Sequence, residues 1–172
     1  MDYAATLTYM YPNIDLSFDS TECRLISCAG VTTIVLWNAA KLGPQPTEAQ
    51  LEAAWPAAQL QQAKTTQRAL IKSSFLAAST ANVTDSRGIV WEGGMQSGNS
   101  IFLGCQLAQQ AGQSTITLYD ASKAPHSMTI AEGMGVAALI GAAYQGALAK
   151  KNTLYANIDA ATSVSEVLSV AW

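Results

Sequence analysis

Charge is scarce in this chain. Only 12% of its 172 residues are Asp, Glu, Lys or Arg, about half of the ~25% typical of globular chains. The formal net charge is −3 and no run of Lys or Arg occurs, so the clustered cations that neutralising nucleic-acid phosphates requires are missing. Histidine is nearly missing too. His126 is the only one, which leaves a Ser-His-Asp or multi-histidine metal centre little to draw on. The three cysteines, Cys23, Cys28 and Cys105, contain no Cys-x-x-Cys pair, which argues against a zinc site and a disulfide framework. Cys23 and Cys28 could meet across a hairpin, although free buried thiols are the preferred reading. The N-terminal Met1-Asp2-Tyr3 opens no basic and apolar leader, so no signal peptide is expected. The most apolar stretch, Ile130 to Leu148, is broken by Glu132 and four glycines and falls short of a membrane span.

What is present is a 49% apolar share, enough for a core in one ordinary domain or two small ones. Gln, Ser, Thr, Asn and Ala fill the surface in place of charge. Such a surface suits a chain that spends its life packed against other chains.

The pattern predicts an α+β fold. Residues 4–11 read as a short helix stopped by Pro12, followed by three strand-like runs, Ile14 to Phe18, Arg24 to Ser27 and Thr32 to Trp37, forming a small antiparallel N-terminal sheet. Gly43-Pro44-Gln45-Pro46 closes that unit. Thr47-Glu48-Ala49-Gln50 is a capping box, in which hydroxyl and amide satisfy each other's orphan backbone donors. Behind it one helix is expected to end at Trp55 and a second to start at Pro56, because proline removes a backbone donor and disfavours a helical residue before it. Asp85-Ser86-Arg87-Gly88 marks a hairpin. Ser97 to Ala111 has helical spacing at Ile101, Cys105 and Ala108, and Thr115 to Tyr119 alternates as a strand. Lys123-Ala124-Pro125-His126 turns the chain. A second box, Thr129 to Glu132, opens the longest helix, running to about Ala160, and a third, Ser163 to Glu166, opens a last short one. The expected organisation is a β-rich unit at 1–43, connecting helices at 44–80, and a C-terminal α+β domain at 81–172 with two hairpins and one long helix.

Two glycine-rich stretches imitate nucleotide motifs. Gly93 to Ser100 has P-loop spacing, but Asn99 stands where a lysine must reach the phosphates, so a turn capping the next helix is expected. Gly133-Met134-Gly135-Val136-Ala137-Ala138 fits the dinucleotide fingerprint in letters, yet it falls inside a capped helix, where small residues serve close packing. Ala137, Gly141 and the offset Ala142 and Gly146 extend that small-residue character, with a partner either inside the fold or on another chain. The acids, Asp15, Asp19, Glu22, Asp85, Glu92, Asp120, Glu132, Asp159 and Glu166, show no metal-loop spacing; several are expected at turns or first helical turns. A cysteine–histidine pairing of Cys105 with His126 is the one nucleophilic arrangement available. Trp37, Trp91 and Tyr119 are the candidate stacking platforms for a sugar. No cofactor and no metal is indicated.

Tyr11-Pro12-Asn13, Trp37-Asn38, and Gly43-Pro44-Gln45-Pro46-Thr47 through Leu51 to Trp55 resemble the start of small proteins encoded beside tail-fibre genes in tailed phages and prophages. From about Thr65 to Trp172 the chain resembles a phage domain of unknown function from the same gene neighbourhood, through Gly88-Ile89-Val90-Trp91, Ser100-Ile101, Leu107-Ala108, Thr117-Leu118-Tyr119-Asp120, Met128-Thr129, Ala131-Glu132, Lys150-Lys151 and Val170-Ala171-Trp172. The resemblance implies a non-enzymatic phage protein that binds the tail fibre or baseplate, as a virion component or as an assembly chaperone. It would act in the host cytoplasm during assembly or in the virion tail. A hetero- or homo-oligomer, trimeric assemblies included, would follow, with no nucleic acid and no membrane insertion. The residues expected to touch the partner are Trp55, Trp91, Ala137, Gly141 and Tyr144. The alternative class is a stand-alone sugar- or receptor-binding adhesin.

Overall fold

The computed structural model describes all residues, Met1 to Trp172, and its fold is α+β. In chain order the elements are α1 (Tyr3–Met10), β1 (Cys23–Cys28), β2 (Val31–Trp37), α2 (Ala39–Leu42), α3 (Glu48–Ser79), β3 (Val83–Thr84), β4 (Val90–Trp91), α4 (Met95–Gln110), β5 (Thr115–Tyr119), β6 (Pro125–Thr129), α5 (Ile130–Ala160) and α6 (Val164–Ser169). The strands pair only as three separate antiparallel hairpins. The chain forms two compact units, Met1–Gln67 with Ile158–Ser169 and Arg68–Asn157 with Val170–Trp172. These divide within α3 and within α5, at neither of the boundaries, 43/44 and 80/81, where the sequence changes character.

In the first unit, β1 and β2 are joined by Ala29-Gly30, both at positive φ, which matches the twist of a two-residue hairpin. Leu7 on α1, Cys23 on β1 and Leu51 on α3 are fully buried together, with Tyr11, Ile14, Leu16 and Trp37 packed against them. Ile14 to Phe18 is not a strand, so the expected three-stranded sheet is a hairpin. Local side chains have taken the backbone groups a ladder would need. Ser17 N donates to Asp15 Oδ1 at 2.9 Å, Ser20 Oγ to the Asp15 carbonyl at 2.7 Å, and Asp15 N to Glu22 Oε2 at 3.1 Å. Cys23 and Cys28 stand at opposite ends of β1, roughly 16 Å apart at ~3.3 Å per residue, too far for a disulfide. Cys23 is buried, whereas Cys28 is exposed, contrary to the expectation of buried thiols throughout.

All three capping boxes form. Thr47 N donates to Gln50 Oε1 at 2.8 Å, Thr129 N to Glu132 Oε2 at 2.7 Å, and Ser163 N to Glu166 Oε2 at 3.2 Å, and each returns a backbone donor to the hydroxyl. The break expected at Pro56 does not occur. α3 runs through it, and Leu51 and Ala58, buried on either side, hold the helix across the missing hydrogen bond.

The core of the second unit gathers Trp91, Leu118, Met128, Val136 and Ile140, with Val83, Ile89, Ile101 and Ile116 against them. Its Lys123 to His126 segment is only half a turn. Pro125 already opens β6, and His126 pairs with Leu118 in the β5–β6 ladder. Helices α4 and α5 meet along an antiparallel seam of small residues. A Cβ placed on Gly98 would lie 3.2 Å from Ile140, and one placed on Gly133 would lie 2.6 Å from Cys105 Sγ. From 98 to 105 and from 133 to 140 is seven residues, two turns on each helix, so both contacts fall on one line. Neither glycine-rich stretch is therefore a phosphate loop: Gly98 and Gly133 are seam residues.

Candidate functional site

Helix α4 has two unlike faces. Ile101, Gly104, Cys105 and Ala108 follow helical spacing toward the interior, with Cys105 and Ala108 buried. The other face carries Leu103 and Leu107, one turn apart, with Phe102 beside them, and these are 55%, 65% and 43% exposed. Between Met95 and Gln110 there is not one charged residue. Phe102 continues into a cleft of about 260 Å³ whose other wall is Met134, Ala137, Ala138 and Gly141 of α5. A Cβ on Gly141 would meet nothing within 4 Å, and the same holds for Gly135 and Gly146, so three of the small residues of α5 have no partner in the fold.

The partner-contact residues expected from sequence are dispersed. Ala137 and Gly141 line the cleft with Phe102, though Ala137 is itself buried. Tyr144 is half-buried, its ring edge-on to Phe75 at 6.0 Å. Trp55 is half-buried on α3, in the first unit. Trp91 cannot touch a partner, because it is fully buried at the centre of its unit's core. The outer face of α4 was not among the expected contacts; its signal in the sequence is an uncharged helix with two leucines at i, i+4.

Two aspartates organise the turns beside Trp91. Asp85 accepts from the backbone N–H groups of Arg87 and Ile89 at 2.9 and 3.1 Å, from Arg87 Nη2 at 2.7 Å and from Trp91 Nε1 at 3.0 Å. Burial pushes its carboxyl up, but the hydrogen bonds of Arg87, Trp91 and Ile89 outweigh that and hold it well below the usual carboxylate range. Asp120 is held low first by His126, whose Nε2 lies 2.9 Å from Oδ2, then by Ser122, with the Ala124 amide adding to both. His126 also sets its ring edge-on to Trp91 at 5.6 Å. The sole histidine is thus tied into the β5–β6 turn and the core beneath it.

Cys105 offers poor nucleophilic chemistry. Its sulfur is buried in the notch opposite Gly133, and burial pushes the thiol up, the reverse of what an attacking thiolate needs. No three His, Cys, Asp or Glu side chains gather as metal ligands would. No helix is long and apolar enough to cross a membrane. Compared with models of protein families, with curated proteins and with solved structures, the chain matches none of them.

Proposed function

We propose that this chain is a non-enzymatic tailed-phage protein that binds the tail fibre through the outer face of α4 and the adjoining small-residue wall of α5. It serves as a virion component or as the fibre's assembly chaperone. The observation that carries the reading is the uncharged helix that turns Phe102, Leu103 and Leu107 to solvent beside an apolar cleft. A water-facing apolar patch of this kind marks an interaction surface, and the depletion of charge at its centre is what separates protein interfaces from ordinary surface. A fibre chain exposes apolar surface before its copies close on one another, and this face complements it. The resemblance to proteins encoded beside tail-fibre genes supplies the partner.

The test is co-expression with the neighbouring fibre gene, followed by size exclusion with light scattering. Wild type is expected to elute as one complex of defined mass. The double variant Leu103→Glu, Leu107→Glu is expected to bind about 100-fold more weakly or worse, since burying two leucines contributes ~3–6 kcal/mol. Its melting temperature should stay within ~1–2 °C of wild type, because both side chains are exposed in the free chain. A double variant that still elutes with the fibre at wild-type stoichiometry overturns the surface assignment. Ala137→Lys is not a usable probe: it would put a charge on a buried position and report on folding.

A further inference from the structure

A cavity of about 540 Å³ opens on another side of the second unit, where the Gly93-Gly94 turn leads into α4. Its floor is closely packed. A Cβ on Gly93 would stand 1.8 Å from the Ala81 carbonyl oxygen, so this backbone is pressed directly on its neighbour, and Gly94 holds a φ of 96°. Ala121 N donates to the Val90 carbonyl at 2.9 Å and ties the β5–β6 turn to the strand before the cavity. Tyr119, at the end of β5, lines the cavity and is 63% exposed.

The polar side chains around the cavity are open to solvent or partly so. The side chains of Gln96, Ser97 and Ser100 and the Tyr119 hydroxyl make no hydrogen bond within the chain. Glu92 lies at the rim, paired with Lys123 Nζ at 2.5 Å. No Lys, Arg or His lines the cavity, and Lys123 beside it is neutralised by Glu92. A phosphate or an acidic ligand is disfavoured. The polar side chains of Glu92, Gln96, Ser97 and Ser100 disfavour a purely hydrophobic ligand as well.

We infer that this cavity is a binding site for a neutral saccharide, with the Tyr119 ring as its platform and Glu92, Gln96, Ser97 and Ser100 as its hydrogen-bonding wall. A pyranose is apolar on its C–H faces and ringed by hydroxyls that both donate and accept. The electron-rich face of an aromatic ring attracts the former. A carboxylate, an amide and two hydroxyls supply acceptors and donors for the latter. The volume is within the range of small-ligand sites. Of the three candidate platforms, Trp37, Trp91 and Tyr119, only Tyr119 is exposed enough to stack. Trp91 is buried, and Trp37 donates its Nε1 to the Gly43 carbonyl at 2.8 Å with its ring edge-on to Tyr11 at 5.3 Å.

The inference does not depend on fibre binding and is tested on the isolated full chain. Glucose, galactose, N-acetylglucosamine and N-acetylgalactosamine are titrated separately into ¹⁵N-labelled protein to tens of millimolar. At least one is expected to shift the amides of residues 92–101 and 119 saturably, with millimolar affinity. Tyr119→Ala should weaken that binding about fivefold to tenfold without moving the melting temperature. Glu92→Gln, which keeps an acceptor but loses the charge, should weaken it by a smaller factor. Silence from all four sugars overturns the site, as do shifts confined to other residues or shifts that persist unchanged in Tyr119→Ala.

Discussion

Alanine at position 93 is expected to cost about 3 kcal/mol and to lower the melting temperature by about 6–12 °C. The added Cβ would lie 1.8 Å from the carbonyl oxygen of Ala81 and 2.7 Å from its carbon. Both are backbone atoms, so no rotamer change relieves the overlap. Either the end of α3 or the entry to α4 must shift, and Trp91 is two residues away in the core. Gly141→Ala is the control. It meets nothing within 4 Å and replaces a mid-helix glycine, so it should leave stability unchanged or raise it by up to ~1 kcal/mol. Thermal melts followed by circular dichroism measure both. A Gly93→Ala protein that melts with the wild type would show that the two backbone segments are not in contact.

The second large effect is at Asp85. Asp85→Ala removes the acceptor of the Trp91 indole N–H, buried with its ring, and frees the backbone donors of Arg87 and Ile89. An orphaned buried donor costs ~1–3 kcal/mol and each hydrogen bond to a charged acceptor contributes ~1.5–3, so a loss of about 3 kcal/mol in urea unfolding is expected. The same carboxylate sets a pH dependence. Its folded value lies below the unfolded one of ~3.9, so below about pH 5 the unfolded chain binds more protons than the folded chain. The stabilisation is complete above that region and fades as pH falls through the lower, folded value. Asp120, Glu132 and Glu166 are shifted in the same direction and add to the acid sensitivity. Asp85→Asn should therefore be less stable at neutral pH and show a shallower loss between pH 5 and 2. A stability profile as steep as that of wild type would remove Asp85 from this role.

How much of this could be read in advance depended on whether the cause was local. Helix starts were legible because a capping box is complete within four residues, and all three form. The β5 strand was legible because two core side chains alternate with three exposed ones. Ile14 to Phe18 misled because β-branched and aromatic letters say nothing of Asp15, Ser20 and Glu22 capturing the same backbone. Pro56 misled because its cost is offset by burial of Leu51 and Ala58, which is tertiary. Trp91 has the composition of an interface anchor and becomes a core residue only because Asp85, six residues away, satisfies its indole. The outer face of α4 is marked in the sequence by its missing charges alone, which do not say which side of the helix faces solvent. The saccharide cavity was not legible, since it needs Tyr119 brought beside the Gly93-Gly94 turn.

The line along which α4 meets α5 bears on how relatives of this chain should differ from it. The sulfur of Cys105 occupies the notch that a missing side chain leaves at 133, and the two positions share one fixed allotment of space. A methyl group gained at 133 has to be surrendered at 105. Homologues are expected to change these two sites jointly, small beside large or large beside small, and to leave a trace of paired substitution linking helices that sequence distance alone would keep apart.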